Sequence, residues 1–212
     1  MKKVNFSRDD VEVIANTPAY DGFFNLDLYT LRHRQFSGDW GPEIKREVFE
    51  RGHAVGVLPY DPVADSVVLI EQFRAGAFAA VSSPWFGSES SPWLIETVAG
   101  IIDEGELPED VAYREAMEET GLALKGLLPV CHYLVSPGGS TESVFVYIGH
   151  ADADKVEGLH GMRHEGEDIR PFAVPLQEAY DAIAAGHINN GMTIICLQWL
   201  MLNREHVRTK WL

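Results

Sequence analysis

Glu115, Glu118 and Glu119 stand at i, i+3 and i+4. That spacing puts three carboxylates on one face of a helix. Local physics opposes the arrangement. Like charges at this spacing repel by about 0.2–0.5 kcal/mol per pair. Glu118 and Glu119 also fall in what would be the last turn, where the helix dipole favours cations. A solvated acidic face is the plain account of such a run. A divalent cation that neutralises the carboxylates is the chemical one, and local rules fail most often at functional sites. Carboxylates without a Cys or His cluster select a hard, oxygen-seeking ion, Mg2+ or Mn2+. More than one such ion can bridge phosphate oxygens, stabilise an in-line displacement and activate water.

The helix that must carry these residues is predicted over 108–120. Pro108 suits its first turn, Glu109 and Asp110 suit its positive end, and Gly121 suits its stop. Alternating apolar and polar residues predict strands over 11–15, 24–32 and 44–51, the last with charges on both faces. Apolar runs at 53–61 and 66–74, joined by DPVAD, predict a hairpin. Residues 78–93, rich in Ser, Pro and Gly, read as a long exposed loop. Further strands are expected at 94–98, 127–135, 143–149 and 170–174, and closing helices at 176–185 and 191–205. Strands and helices mix without a regular βαβ alternation, which points to α+β or a mixed α/β sandwich.

The chain has 212 residues and a formal charge of −15, from 17 Lys+Arg against 32 Asp+Glu. Such a length supports one domain, or one with an appendage. The acidity excludes a general nucleic-acid or membrane-surface binder, and at first sight an anionic small substrate too. Cys131 and Cys196 read as two buried, reduced thiols in a reducing compartment. The N-terminus has no apolar signal core, and the longest apolar stretch, 193–202, is too short to span a bilayer. A cytoplasmic location is expected.

From Gly100 the chain reads GIIDEGELPEDVAYREAMEETGL. Gly100, Glu106, Arg114-Glu115, Glu118-Glu119, Gly121 and Leu122 resemble the Nudix box at every fixed position. The resemblance implies an α/β/α sandwich with a mixed sheet and a loop–helix–loop. It also implies Mg2+-dependent hydrolysis of a nucleoside diphosphate linked to another group. Glu115 and Glu119 would be the first metal ligands, Glu118 a further one through water, and the carbonyl of Ala99 another oxygen donor. Arg114 would be a buried fork paired with Glu106, and Gly100 and Gly121 would shape the box.

Residues outside the box narrow the substrate. Pro137, in SPGGSTE, resembles the marker of the ADP-ribose pyrophosphatase subfamily; a turn alone would also explain it. GFFNLDLY (22–29), EIKREVFERGHA (43–54), LIEQFR (69–74) and GEDIR (166–170) are similar to bacterial members of that subfamily. The 78–93 loop looks longer than in those enzymes. The resemblance implies a division at 50/51: an N-terminal β subdomain over 1–50, exchanged between the subunits of a homodimer, and a hydrolase domain over 51–212. Phe23 and Arg46 would then hold adenine in a shared site, with Phe24 another substrate contact, and Glu47 would accept from the adenine amino group. Arg51 and Arg74 would bind the pyrophosphate. Ile101 and the Ser136-Pro137-Gly138 backbone would line the substrate, with Glu142 near the terminal ribose. In HEGEDIR, Glu165 would be the base that activates water and Glu167 a metal ligand; an acidic surface loop is the bland account. ADP-ribose is the substrate this implies. Another nucleotide sugar or dinucleotide is the nearest alternative, and a non-catalytic ADP-ribose-binding module, which would tend to have a degraded box, the alternative from another class.

Part of the acidity then becomes the site itself. Asp103, Glu104, Glu106, Glu109, Asp110, Glu115, Glu118 and Glu119 crowd one short segment against Arg114 alone. With Mg2+, Arg51 and Arg74 the local sign reverses, so the charge excludes a small phosphate only without metal.

Overall fold

The computed structural model describes residues 6–162 and 166–212. The chain divides into two compact units. One runs to His53 and includes Leu134–Ser143; the other comprises Ala54–Tyr133 and Val144–Leu212.

In the first unit, β1 (Val11–Asp21), β2 (Asn25–His33) and β3 (Ile44–Glu50) form an antiparallel sheet in sequence order. The β1–β2 register slips between Val13 and Ala15 and between Pro18 and Tyr20. A proline, lacking a ladder N–H, is tolerated on such an irregular edge strand. Every residue of β1 is exposed, including Val13, Ile14 and Tyr20. The segment 134–143 joins this unit through β3. Phe49 N donates to Gly139 O at 2.8 Å, Thr141 N to Phe49 O at 3.1 Å, and Thr141 Oγ1 to Glu50 at 2.7 Å.

The second unit contains β4 (Ala54–Asp61), β5 (Ser66–Phe73), α1 (Ala75–Ala80), β6 (Trp93–Glu96), β7 (Val98–Ile101), α2 (Pro108–Thr120), β8 (Gly126–Leu134), β9 (Ser143–His150), β10 (Arg170–Pro175), α3 (Leu176–Ala184) and α4 (Gly191–Trp211). Its sheet runs β10-β5-β4-β9-β8, with β6 on β5 and β7 on β4. The β4–β9 pair is parallel and β4–β5 antiparallel, so the sheet is mixed. β4 is buried at every residue, as a strand covered on both faces must be. One face packs Val55, Val57, Ile70 and Val98 under Val111, Ala112 and Ala116 of α2. The other packs Leu58, Tyr60 and Leu69 against Leu176 of α3 and Cys196, Leu197 and Leu200 of α4. This is the expected α/β/α sandwich with a mixed sheet, and the antiparallel β sheet forms a separate unit.

Several expectations change in detail. β4 and β5 pair only beside their turn, at Tyr60–Val67 and Asp61–Ser66; farther along, β6 pairs with β5 and β7 with β4. The expected strand at 94–98 is therefore two strands broken at Thr97. The first residues of the expected 78–93 loop complete α1 and its last begins β6. α4 continues to Trp211 rather than stopping near 205. Cys131 is exposed, contrary to the expectation of two buried thiols, because β8 is the outermost strand of the sheet; Cys196 is buried on α4. Among the described residues no helix is long and apolar enough to cross a membrane.

Candidate active site

α2 starts with Pro108 in its first turn and acids at its positive end, and closes on Gly121. Gly121 has a φ of 71°, and its N–H donates to Met117 O at 2.9 Å. A left-handed cap of this kind favours glycine. A Cβ there would also lie 2.9 Å from the His160 ring. The helix buries Val111, Ala112, Ala116 and Glu119 toward the sheet. A carboxylate therefore sits on the stripe that should be apolar.

Glu119 is 4% exposed, and its Oε2 accepts from Ala99 N at 3.0 Å. Gly100, the next residue of β7, lies against Glu115 so closely that a Cβ would fall on the carboxylate itself. Only glycine allows that approach. Arg114 ties the remaining carboxylates together. Its Nε and Nη2 donate to Glu106, each at 3.2 Å, and its Nη1 donates to Glu115 at 2.7 Å and Glu118 at 3.1 Å. Glu106 is also held by Asp103 N at 3.0 Å. The expected Arg114–Glu106 fork is present, but Arg114 is half-exposed rather than buried and serves two more glutamates.

Burial sets the electrostatics. It pushes the Glu115 carboxyl up to about 7 despite the opposing Arg114 charge, with Glu118 and Glu167 adding to the rise. Glu119 is held well above the usual carboxylate range, first by burial. The Ala99 N–H and Arg74 oppose this, while Glu115 and Glu167 reinforce it. The Glu106 carboxyl is instead held down by the Asp103 N–H and Arg114. Glu119 thus feels the charges of Glu115 and Glu167, and Glu115 that of Glu167. Glu167 also accepts from Met162 N at 3.0 Å.

Buried, mutually repelling carboxylates ionise together only beside added positive charge. The oxygen donor set therefore fits a hard divalent cation. Among the described residues no group of three His, Cys, Asp or Glu stands ready-arranged around one point. Glu115 and Glu118 are turned to Arg114, and Glu119 to Ala99, so loading a cation requires these side chains to reorient.

Arg74, at the end of β5, donates from Nε to buried Glu96 at 2.7 Å. Gln72, two residues earlier, is 4% exposed, and its amide nitrogen has no partner among the described residues. In the first unit, Arg51 lies 3.3 Å from Glu142 and 5.3 Å over the ring of Phe24. Phe24 contacts Phe23 and Phe49 edge-on. Phe23 is 89% exposed, a poor position for so apolar a side chain unless something covers it. Arg46 and Glu47 are exposed on β3. Ser136 O accepts from Gly139 N and Ser140 N, which makes the 136–140 segment a tight turn. Ile101 ends β7, 36% exposed, just past Ala99 and Gly100. Glu165 lies outside the described residues. Sequence reasoning missed Glu96, because a lone acid ending an apolar run has no diagnostic spacing.

A NUDIX domain family model matches residues 50–192. The chain belongs to the Nudix family. This Nudix chain is 47% identical over 208 residues to the ADP-ribose pyrophosphatase of Escherichia coli K12, covering 98% of this chain and 96% of that protein. It is 39% identical to the ADP-ribose pyrophosphatase of Haemophilus influenzae, covering 98% and 93%. A crystal structure of an ADP compounds hydrolase superposes with a TM-score of 0.68 at 19% identity, over 97% of this chain and 98% of that one. At that identity it shows a shared Nudix fold.

Proposed function

We propose that this Nudix protein hydrolyses the pyrophosphate bond of ADP-ribose, giving AMP and ribose 5-phosphate. The observation that carries the reading is the extent of the 47% identity. It spans 98% of the chain, well beyond the 50–192 domain that all Nudix chemistry shares.

Water attacks one phosphorus, the bridging P–O bond breaks, and the leaving phosphate departs as a monoester. Mg2+, or Mn2+ in its place and more than one ion per site, would supply Lewis acidity to the phosphates and lower the pKa of the attacking water. Glu115, Glu119, Glu167 and the Ala99 carbonyl would hold these ions, with Glu118 acting through water. Gly100 admits the Glu115 carboxylate to the strand. Arg114 holds Glu106, Glu115 and Glu118 as one set, and Gly121 ends the helix that presents them. Glu165 would take the proton from the attacking water.

Arg51 and Arg74 bind the pyrophosphate oxygens through charge-assisted hydrogen bonds. Phe23 and Arg46 enclose adenine by stacking and cation–π contact, Phe24 contributes a further substrate contact, and Glu47 accepts from the adenine amino group. Ile101 and the Ser136-Pro137-Gly138 backbone line the substrate, and Glu142 faces the terminal ribose. The wholly exposed β1 and the bare Phe23 ring support a homodimer. In it the N-terminal β subdomain, 1–50, would complete the partner's site on the hydrolase domain, 51–212. The charge of −15 supports a small-molecule substrate over nucleic acid or membrane. The two unpaired thiols support a cytoplasmic location.

The test is incubation of the purified protein with Mg2+ and a panel of ADP-ribose, other nucleotide sugars and dinucleotides, with product identification. AMP and ribose 5-phosphate formed fastest from ADP-ribose is the expected result. Preference for another member moves the substrate. Tight ADP-ribose binding without turnover of any member makes the protein a binding module.

A further inference from the structure

A chain of buried and partly buried hydrogen bonds crosses the second unit and ends on Arg74. Thr97, in the gap between β6 and β7, donates from Oγ1 to Val57 O at 2.7 Å and from its N–H to Thr193 Oγ1 at 2.8 Å. Thr193 Oγ1 donates to Asn190 Oδ1 at 3.2 Å, and Thr193 N to the same oxygen at 3.1 Å. Asn190 is thereby the N-cap of α4. Its amide Nδ2 donates to Glu96 Oε1 at 2.6 Å, and Glu96 Oε2 accepts from Arg74 Nε at 2.7 Å. Thr97 and Thr193 are fully buried and Glu96 is 3% exposed.

The direction of every bond is determined. The Asn190 carbonyl must face the helix N–H it caps, so its amide must face Glu96. That donor occupies one carboxylate oxygen and leaves the other to Arg74. Among the described residues the Nη groups of Arg74 make no ion pair or hydrogen bond, and its side chain remains 40% exposed. An ion pair with one buried partner is a weak device for stability, because removing that carboxylate from water offsets much of the attraction. It is an effective device for orientation. Holding Nε fixes the plane of the guanidinium and leaves the Nη pair for a bidentate anion.

We propose that Glu96 and Asn190 are positioning residues that aim the Arg74 guanidinium at the substrate pyrophosphate. The proposal rests on the reading of Arg74 as a pyrophosphate ligand. α4, far along the chain from the box, thereby enters catalysis through its cap alone.

A double-mutant cycle tests it. Glu96→Gln has one acceptor oxygen in place of two, so it cannot satisfy both partners unless the Asn190 amide turns and abandons its cap. Asn190→Asp keeps the cap, because Asp and Asn are equally good there, but sets a carboxylate against Glu96. Each is expected to lower kcat/KM about 10- to 100-fold, the loss typical of a displaced binding group. In an Arg74→Ala background neither lowers it further. The same fold-loss with and without Arg74 would overturn the proposal, since a merely structural role ignores Arg74. The cycle is run on whichever member of the panel the wild type hydrolyses. If it hydrolyses none, the assigned activity falls, and positioning is read without substrate from hydrogen exchange of the Arg74 Nε–H by NMR. Protection in the wild type that is lost in both variants supports the proposal; equal exchange in all three overturns it.

Discussion

In the metal-free chain, burial holds Glu115 and Glu119 toward their neutral forms. Glu115 is the informative one. Its carboxyl rises from 4.5 to about 7 on folding. Between those values the folded chain keeps a proton that the unfolded chain has released. Metal-free stability from this group therefore falls as pH rises through that window. A bound divalent cation displaces the proton and removes the penalty. Melting in chelator against Mg2+, from about pH 5 to pH 8, is expected to show a gap in Tm that widens toward about 7 and then levels. A gap independent of pH would remove Glu115 from the proposed ligands. Glu119→Gln should lower kcat about 100- to 1,000-fold, the scale of losing a group that stabilises transition-state charge. Without metal its Tm should be unchanged or higher, because the amide is an uncharged isostere of the neutral carboxyl that burial already favours. Wild-type turnover in this variant would sink the assignment.

At the scale of elements, the site is a helix laid on a strand with a glycine between them. α2 was legible to its last residue, because Pro108, the acids of its first turn and Gly121 are terminal signals with a local cause. The break at Thr97 was not. LIETV contains no turn residue, and the two strands arise only because β4 and β5 part beyond their turn. The seat of Glu115 depends on the α2–β7 contact. Gly100→Ala should therefore push the carboxylate aside, destabilise the chain by about 1–3 kcal/mol as overpacking does, and lower kcat more than KM. Urea unfolding and steady-state kinetics on one preparation would check both. Unchanged kinetics with normal stability would show that the contact has no bearing on the reaction.

For the molecule as a whole, the outstanding prediction is shared sites. Equilibrium sedimentation should give about twice the 23.6 kDa chain mass. Mixing subunits gives a sharper result. Glu119→Gln would inactivate a site from the hydrolase domain, and Arg46→Ala from the N-terminal sheet. If each site draws on both subunits, a mixed dimer has one intact site. Random reassortment of two inactive variants would then recover about a quarter of wild-type activity. No recovery, with exchange verified by mass spectrometry, would defeat the shared site.

The sequence by itself determined what is local or periodic: the limits of α2, the alternation of the N-terminal strands, the carboxylate face and the glycines that flank it. Each follows from spacing along the chain. It also carried the family, because the box is one continuous run. Tertiary structure alone decided how these parts are held. Arg114 gathers three glutamates rather than one, Cys131 is exposed on an edge strand, and Asn190 meets Glu96 from nearly a hundred residues away. Such pairings leave no period or spacing in a sequence. They exist because a mixed sheet brings distant segments side by side, and because buried polar groups must find partners wherever the fold places them.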